Sequence, residues 1–183
     1  QLGCEVIELY TDPDGMFPNH HPDPTVLENL KDLSQTVLEH KADLGIAWDG
    51  DADRIGVVDE RGQVIYGDML MVVYGRQLAK EVSRPIIIGD VKCSELMFDE
   101  LRKSGAQAIM WKTGHSLIKK KLQELSAHLA GEMSGHVFFN HRWFGFDDAI
   151  HASARLVEIL SHEERSISQL IADIPATVST PEL

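Results

Sequence analysis

Leu44-Gly45-Ile46-Ala47-Trp48, Asp49-Gly50-Asp51-Ala52-Asp53-Arg54 and Ile55-Gly56-Val57-Val58 follow one another without a break, two apolar runs around a run of carboxylates. The flanks are short, apolar and free of Pro, so they predict two strands, 44–48 and 55–58, joined by an acidic loop. Three carboxylates at alternate positions disfavour one another's ionisation. A hard divalent cation relieves that repulsion, and oxygen-only ligands point to Mg²⁺ or Ca²⁺ rather than zinc. Gly50 and Ala52 carry almost no side chain, which lets the backbone wrap closely around one ion.

Three readings of the loop compete. A solvated acidic turn would ordinarily draw on Ser or Asn as well as Asp. An EF-hand fits Asp49, Asp51, Asp53 and Glu60 at loop positions one, three, five and twelve, but position six needs Gly and holds Arg54. Its flanks are also strand-like instead of helical. A catalytic Mg²⁺ loop handling phosphate, with Arg54 beside the metal to hold an anionic oxygen, fits best.

Outward from the loop, Cys4 to Leu9 predicts a strand, and a Pro-, Asp- and His-rich loop follows to Pro24. The adjacent His20 and His21 read there as solvated loop residues. Asp23-Pro24 predicts a helix start, Asp as N-cap, with Val26, Leu27, Leu30, Leu33, Val37 and Leu38 at helical spacing to about Lys41. After 55–58 come a turn at Asp59 to Gly62 and a strand at Val64 to Tyr66. Residues 1–66 thus make a metal-binding α/β domain.

Residues 67–183 predict a second, sugar-binding α/β domain. Asp68 is expected to cap a helix that Pro85 stops, and Pro85 to Gly89 is a strand. A helix from Cys93 to Lys103, a strand from Ala106 to Trp111 and a helix from Ser116 to Leu125 follow. Lys119-Lys120-Lys121 reads as a solvated face of that last helix. Strands at Leu129 to Glu132 and Val137 to Asn140, then helices from Asp147 to Leu160 and Ile167 to Ile174, complete the order. Each unit is expected to hold a mostly parallel or mixed sheet flanked by helices. Three polar clusters fall at strand ends: Asp90-Val91-Lys92, Lys112-Thr113-Gly114-His115 and Glu132-Met133-Ser134-Gly135-His136. On one sheet edge, Lys92, His115, Glu132, Ser134 and His136 would share a pocket, with Glu132 and Ser134 facing solvent at its mouth. Cations for phosphate, Glu and Ser for ring hydroxyls and His for proton transfer suit a phosphosugar.

Composition narrows the classes. At 183 residues and 43% hydrophobic, the chain can bury one large core or two small ones. Its net charge of −12 argues against a nucleic-acid surface. Two cysteines, Cys4 and Cys93, stand in no metal spacing and predict free thiols in a reducing compartment, the cytoplasm. No apolar run approaches the length of a membrane span. An opening at Gln1 without Met, and an end at Thr180 to Leu183 without a closing element, read as a piece of something longer.

The three motifs together resemble the α-D-phosphohexomutases, and within them the bacterial phosphomannomutase/phosphoglucomutase branch. The resemblance rests on Asp49 to Arg54, on Lys112-Thr113-Gly114-His115-Ser116 and on Gly131 to His136, in the family's order. It implies Asp49, Asp51 and Asp53 as Mg²⁺ ligands and Arg54 on the phosphoserine and substrate side. Glu132 and Ser134 would read sugar hydroxyls, and Lys92, Thr113, His115, Met133 and Gly135 would line the substrate. His136 would be the general acid/base. Met133 resembles the mannose/glucose branch, where the glucosamine branch typically has Gln. The resemblance covers the family's second and third domains of four. No Thr-x-Ser-His-Asn-Pro run occurs, so the phosphoserine loop of domain 1 and the phosphate loop of domain 4 would be missing partners. The whole protein would use a phosphosugar and a glucose 1,6-bisphosphate-type activator, as a monomer, and this piece alone would be inactive. Rival readings are a metal and sugar-phosphate binding module, a phosphoglucosamine mutase and an Asp-nucleophile phosphatase. Against the last, Gly50 and Ala52 supply no Thr or Ser to hold the phosphate.

Overall fold

The structure, a computed structural model, describes residues 3–175. The predicted hairpin forms where its sequence places it, as β1 (Leu44–Trp48) and β2 (Ile55–Asp59), paired antiparallel from Leu44 opposite Asp59 to Trp48 opposite Ile55. β2 is buried along its whole length and pairs on its other edge with β3 (Val64–Ile65), giving the order β1-β2-β3. The turn into β3 is held by Asp59, whose Oδ1 accepts the amides of Arg61 and Gln63 at 3.0 and 2.8 Å. Among the described residues this first sheet is antiparallel throughout, because both of its connections are short loops.

The stretch before β1 departs from its reading. Cys4 to Leu9 is an irregular, largely exposed segment and not a strand, since nothing among the described residues pairs with it. Nor does a helix begin at Pro24. Asp23 Oδ1 accepts from the Thr25 amide and hydroxyl at 3.0 and 2.7 Å, which closes a local turn in competition with a helical start. A 3₁₀ turn follows at Leu27–Leu30, and the α-helix proper, α1, runs Lys31–His40. Lys41 ends it in the left-handed conformation.

α2 (Gly67–Glu81) begins at Tyr66 without a side-chain cap, so Asp68 does not cap it. Asp68 lies in the first turn and accepts from the Ser94 amide. β4 (Ile86–Asp90) is central to the second sheet. α3 (Glu95–Lys103) starts at Ser94, whose hydroxyl caps Met97 N, and leads to β5 (Gln107–Trp111). α4 (His115–Glu124), β6 (Leu129–Gly131), β7 (Val137–Phe139) and α5 (Ala149–Ser161), the last capped by Asp148, follow. The closing helix α6 is only Ile167–Leu170, shorter than the expected 167–174, with Ser166 and Gln169 forming a capping box. The predicted tail at 180–183 lies outside the described residues.

The second sheet has the order β5-β4-β6-β7, parallel between β4 and both neighbours and antiparallel in the β6–β7 hairpin. Alternation along β4 serves two faces. Ile87 joins Tyr74, Phe98 and Leu101 on the side of α2 and α3, whereas Ile88 joins Ile118, Leu122 and Phe138 on the side of α4. The first of these clusters also contains Ile55, Val57 and Ile65, so one apolar core continues from the three-stranded sheet into the four-stranded one. Trp48 Nε1 donates to Ser153 Oγ at 2.9 Å, and Ser166 and Ser168 donate to Glu60, which ties α5 and α6 to the first sheet. The α/β class with helices flanking two sheets is as expected. Asp90 and Trp111 end β4 and β5 opposite each other, and Gly131 ends β6 opposite Gly89, one residue earlier, so the loops after them emerge at one edge.

Candidate functional site

The acidic loop is built around Asp49. Its Oδ1 accepts the amides of Asp53 and Arg54, each at 3.0 Å, and its Oδ2 accepts Arg54 Nε at 2.7 Å. Burial works against the Asp49 charge, but the Arg54 amide and guanidinium hold its carboxyl below the ordinary range. Arg54 reaches onward to Asp23 at 3.1 Å, which anchors the irregular N-terminal segment to the loop. Carboxylate oxygens of Asp49, Asp51 and Asp53 all lie within 4.8 Å of one another. Burial, followed by the charges of Asp49, Asp51 and Asp147, pushes the Asp53 carboxyl up to about 6. This is the electrostatic signature of a carboxylate group that a cation would relieve. An all-oxygen donor set at that spacing fits a hard ion such as Mg²⁺.

The second loop, between β6 and β7, closes onto the first. Ile55 N donates to Gly135 O at 3.1 Å, and Arg54 and His136 form an isolated antiparallel bridge. Gly135 has φ +98, and a Cβ there would stand 2.5 Å from Ile55 O, so the close approach of the two loops depends on glycine. Gly67 has the same role from α2: a Cβ would meet the carbonyls of Glu132 and Met133 at 2.8 Å.

Glu132 does not face solvent. It is 3% exposed, and its Oε1 accepts the Gly114 amide at 2.5 Å, one residue from His115. Thr113 is exposed, but its hydroxyl donates to the buried Asp90 Oδ2 at 2.9 Å. Asp90, 1% exposed, accepts from Met133 N at 3.2 Å and from Cys93 Sγ at 3.0 Å through Oδ1. One buried carboxylate thus ties together the loops after β4, β5 and β6. Sequence reasoning gave Asp90 no role beyond its cluster, though an Asp ending a buried Ile-rich strand is itself a sign that its carboxylate has partners.

The single expected pocket resolves into two neighbouring features. Arg54, Lys92, Met133, Ser134, Gly135 and Tyr66 help line a cavity of about 390 Å³. His115 and His136 stand apart from that lining, stacked at 5.6 Å between centroids, and both point Nδ1 at Asp147 Oδ2, at 3.1 and 3.4 Å. Asp147 Oδ1 is taken by Lys119 Nζ at 2.7 Å. The lysine triplet is therefore not simply a solvated face, because Lys121 also lies 4.3 Å over the Trp111 ring. Asp147 was missed in the sequence. Its signal was the pair Asp147-Asp148 before a helix, where one Asp suffices as the cap. Burial lowers the His136 pKa, against the pull of Glu132 and Asp147.

Fold and site define an α/β protein whose strand-end loops meet at one charged edge, with a carboxylate cluster beside a cavity flanked by cations. Residues 1–62 match the family description "Phosphoglucomutase/phosphomannomutase, alpha/beta/alpha domain II", and residues 66–178 match "alpha/beta/alpha domain III" of the same family. The chain belongs to the phosphoglucomutase/phosphomannomutase family. It is 52% identical over its full length to a phosphomannomutase/phosphoglucomutase of Pseudomonas aeruginosa and 47% identical to a phosphoglucomutase of Neisseria gonorrhoeae. In each case it spans 39% of the relative's length. A crystal structure of a phosphoglucomutase/phosphomannomutase family protein from Burkholderia thailandensis superposes with a TM-score of 0.93 at 49% identity. That match covers 98% of this chain and 39% of the other. No helix among the described residues is long and apolar enough to cross a membrane.

Proposed function

We propose that this chain is the metal-binding and sugar-reading part of an intramolecular phosphotransferase that interconverts hexose 1-phosphates and hexose 6-phosphates of glucose and mannose. The observation that carries the reading is the cavity in which Arg54, Lys92 and Ser134 meet beside the Asp49–Asp53 loop. The division falls between residues 66 and 67, with the metal loop on one side and the sugar loop on the other. Mg²⁺ held by Asp49, Asp51 and Asp53 would supply charge stabilisation for a phosphoryl group in transfer.

The chain's own residues would do the rest. Arg54 and Lys92 flank the cavity as cations for phosphate oxygens, and Ser134 offers a hydroxyl to the sugar. Thr113 and Glu132, with their oxygens engaged by Asp90 and Gly114, hold the 112–115 and 132–136 loops in place. His136, its Nδ1 turned to Asp53 and Asp147, would exchange a sugar hydroxyl proton through Nε2, with His115 alongside. The phosphoserine donor, a bisphosphate activator and a clamp for the distal phosphate would belong to the parts of the relatives that this chain does not span. Positioning a donor in line is worth roughly 7–11 kcal/mol of barrier, so the chain alone should show no mutase turnover.

Two measurements test this. Calorimetric titration with glucose 1-phosphate in Mg²⁺ should give binding that Lys92→Ala and Ser134→Ala weaken; equal binding in all three would overturn the assignment of the cavity. An assay of glucose 1-phosphate to glucose 6-phosphate conversion, in protein freed of host mutase, should be blank. Turnover abolished by Asp49→Asn would contradict the need for a missing donor.

A further inference from the structure

His136 Nδ1 is buried and has no hydrogen-bond partner, although two carboxylates face it. Asp53 Oδ1 stands 3.6 Å away and Asp147 Oδ2 3.4 Å away. Those separations are too long for good hydrogen bonds. They suit a different arrangement, because four ligand atoms around an ion with bonds of about 2.0–2.2 Å stand about 3.3–3.6 Å apart in a tetrahedron. The donor atoms of Asp53, His136 and Asp147 all fall within 4.8 Å of one another, on side chains only 26%, 15% and 7% exposed. We propose that Asp53, His136 and Asp147 form a second cation site, selective for an imidazole-preferring divalent metal of the Zn²⁺ type and distinct from the all-oxygen loop next to it.

The donor set argues the class of metal. A mixed imidazole and carboxylate site suits Zn²⁺, Ni²⁺ or Cu²⁺, whereas Mg²⁺ prefers oxygen alone. Surrounding contacts orient the ligands. Lys119 holds Asp147 by Oδ1 and leaves Oδ2 turned to His136, and Phe138 lies under the His136 ring at 6.3 Å. His115, 54% exposed with Nδ1 at 3.1 Å from Asp147 Oδ2, supports that carboxylate from outside the cluster, and water would supply the fourth ligand. Asp53 belongs to both clusters, so an ion on one side meets a carboxylate already engaged with the other. A metal on His136 Nδ1 would also replace the proton there, so Zn²⁺ would oppose any proton transfer that uses this ring. The site rests on these distances and not on the sugar-phosphate reading.

Titration of the chain with Zn²⁺ alone, and separately with Mg²⁺ alone, tests the assignment by calorimetry. Zn²⁺ binding should weaken at least tenfold in His136→Gln and in Asp147→Asn while changing little in Asp51→Asn, with Mg²⁺ following the opposite pattern. Zn²⁺ binding that Asp51→Asn abolishes and His136→Gln leaves intact would overturn the proposal, since the ion would then sit in the all-oxygen loop. The wild type supplies a check free of folding effects. On addition of Zn²⁺, the ¹⁵N resonance of His136 Nδ1 should move to the position of a metal-bound imidazole nitrogen; a resonance unmoved at saturation contradicts the proposal.

Discussion

Two hairpin loops face each other across this molecule, 49–54 between β1 and β2 and 132–136 between β6 and β7, and they spend their carboxylates in opposite ways. Asp49 is satisfied by its own loop, while Asp51 is exposed and Asp53 is left among like charges. Glu132 is buried, and its carboxylate grips the Gly114 backbone. The first loop therefore stores electrostatic repulsion that a ligand can relieve, and the second stores order that lets neighbouring side chains meet a ligand. An acidic residue's role depends on which donors its fold has already supplied to it.

Removing what orders the second loop should cost the most stability. Asp90→Ala strands the Met133 amide and removes the acceptor of the Thr113 hydroxyl and the buried Cys93 thiol, and should cost about 3 kcal/mol, read as a lower denaturant midpoint. The corresponding change in the first loop, Asp51→Ala, should leave that midpoint nearly unmoved or raise it when metal is chelated. Equal losses in the two variants would break the contrast.

Gly135→Ala probes the contact between the loops. Its positive φ and the 2.5 Å approach to Ile55 O predict a loss of about 2 kcal/mol. A neutral result would mean that the two loops are not held together there.

A smaller effect sharpens the electrostatic half of the comparison. The Asp53 carboxyl titrates near 6 in the fold against an ordinary 3.8, so the folded chain binds more protons than the unfolded one between those values. The Asp53 contribution to metal-free stability should therefore fall as pH rises from about 4 to about 6, so the stability difference between Asp53→Asn and wild type should grow in the variant's favour over that range. Parallel pH profiles for wild type and variant would remove the stored repulsion.

The same contrast explains what the sequence could reveal. β1, the acidic loop and β2 were legible because apolar runs and turn chemistry agreed over that stretch. Cys4 to Leu9 reads equally well as a strand, but a strand needs a partner, and pairing is not written in the segment itself. At Asp23, a side-chain turn with Thr25 defeated a good helix-start pattern. The strand-end clusters were found by their polarity, which identified the right loops but not the direction each side chain takes. Glu132 turns inward, the exposed Thr113 gives its hydroxyl to Asp90, and Asp147, far along the chain, completes the histidine pair. Such orientation depends on long-range hydrogen bonds that residue type and spacing leave open.

The most direct measurement is the affinity of the 49–54 loop for Mg²⁺. Calorimetric titration of wild type and Asp51→Asn, at one pH and ionic strength, should show binding in the wild type that weakens about tenfold or more in the variant. Equal affinity in the two proteins would contradict the assignment of this loop as the metal site.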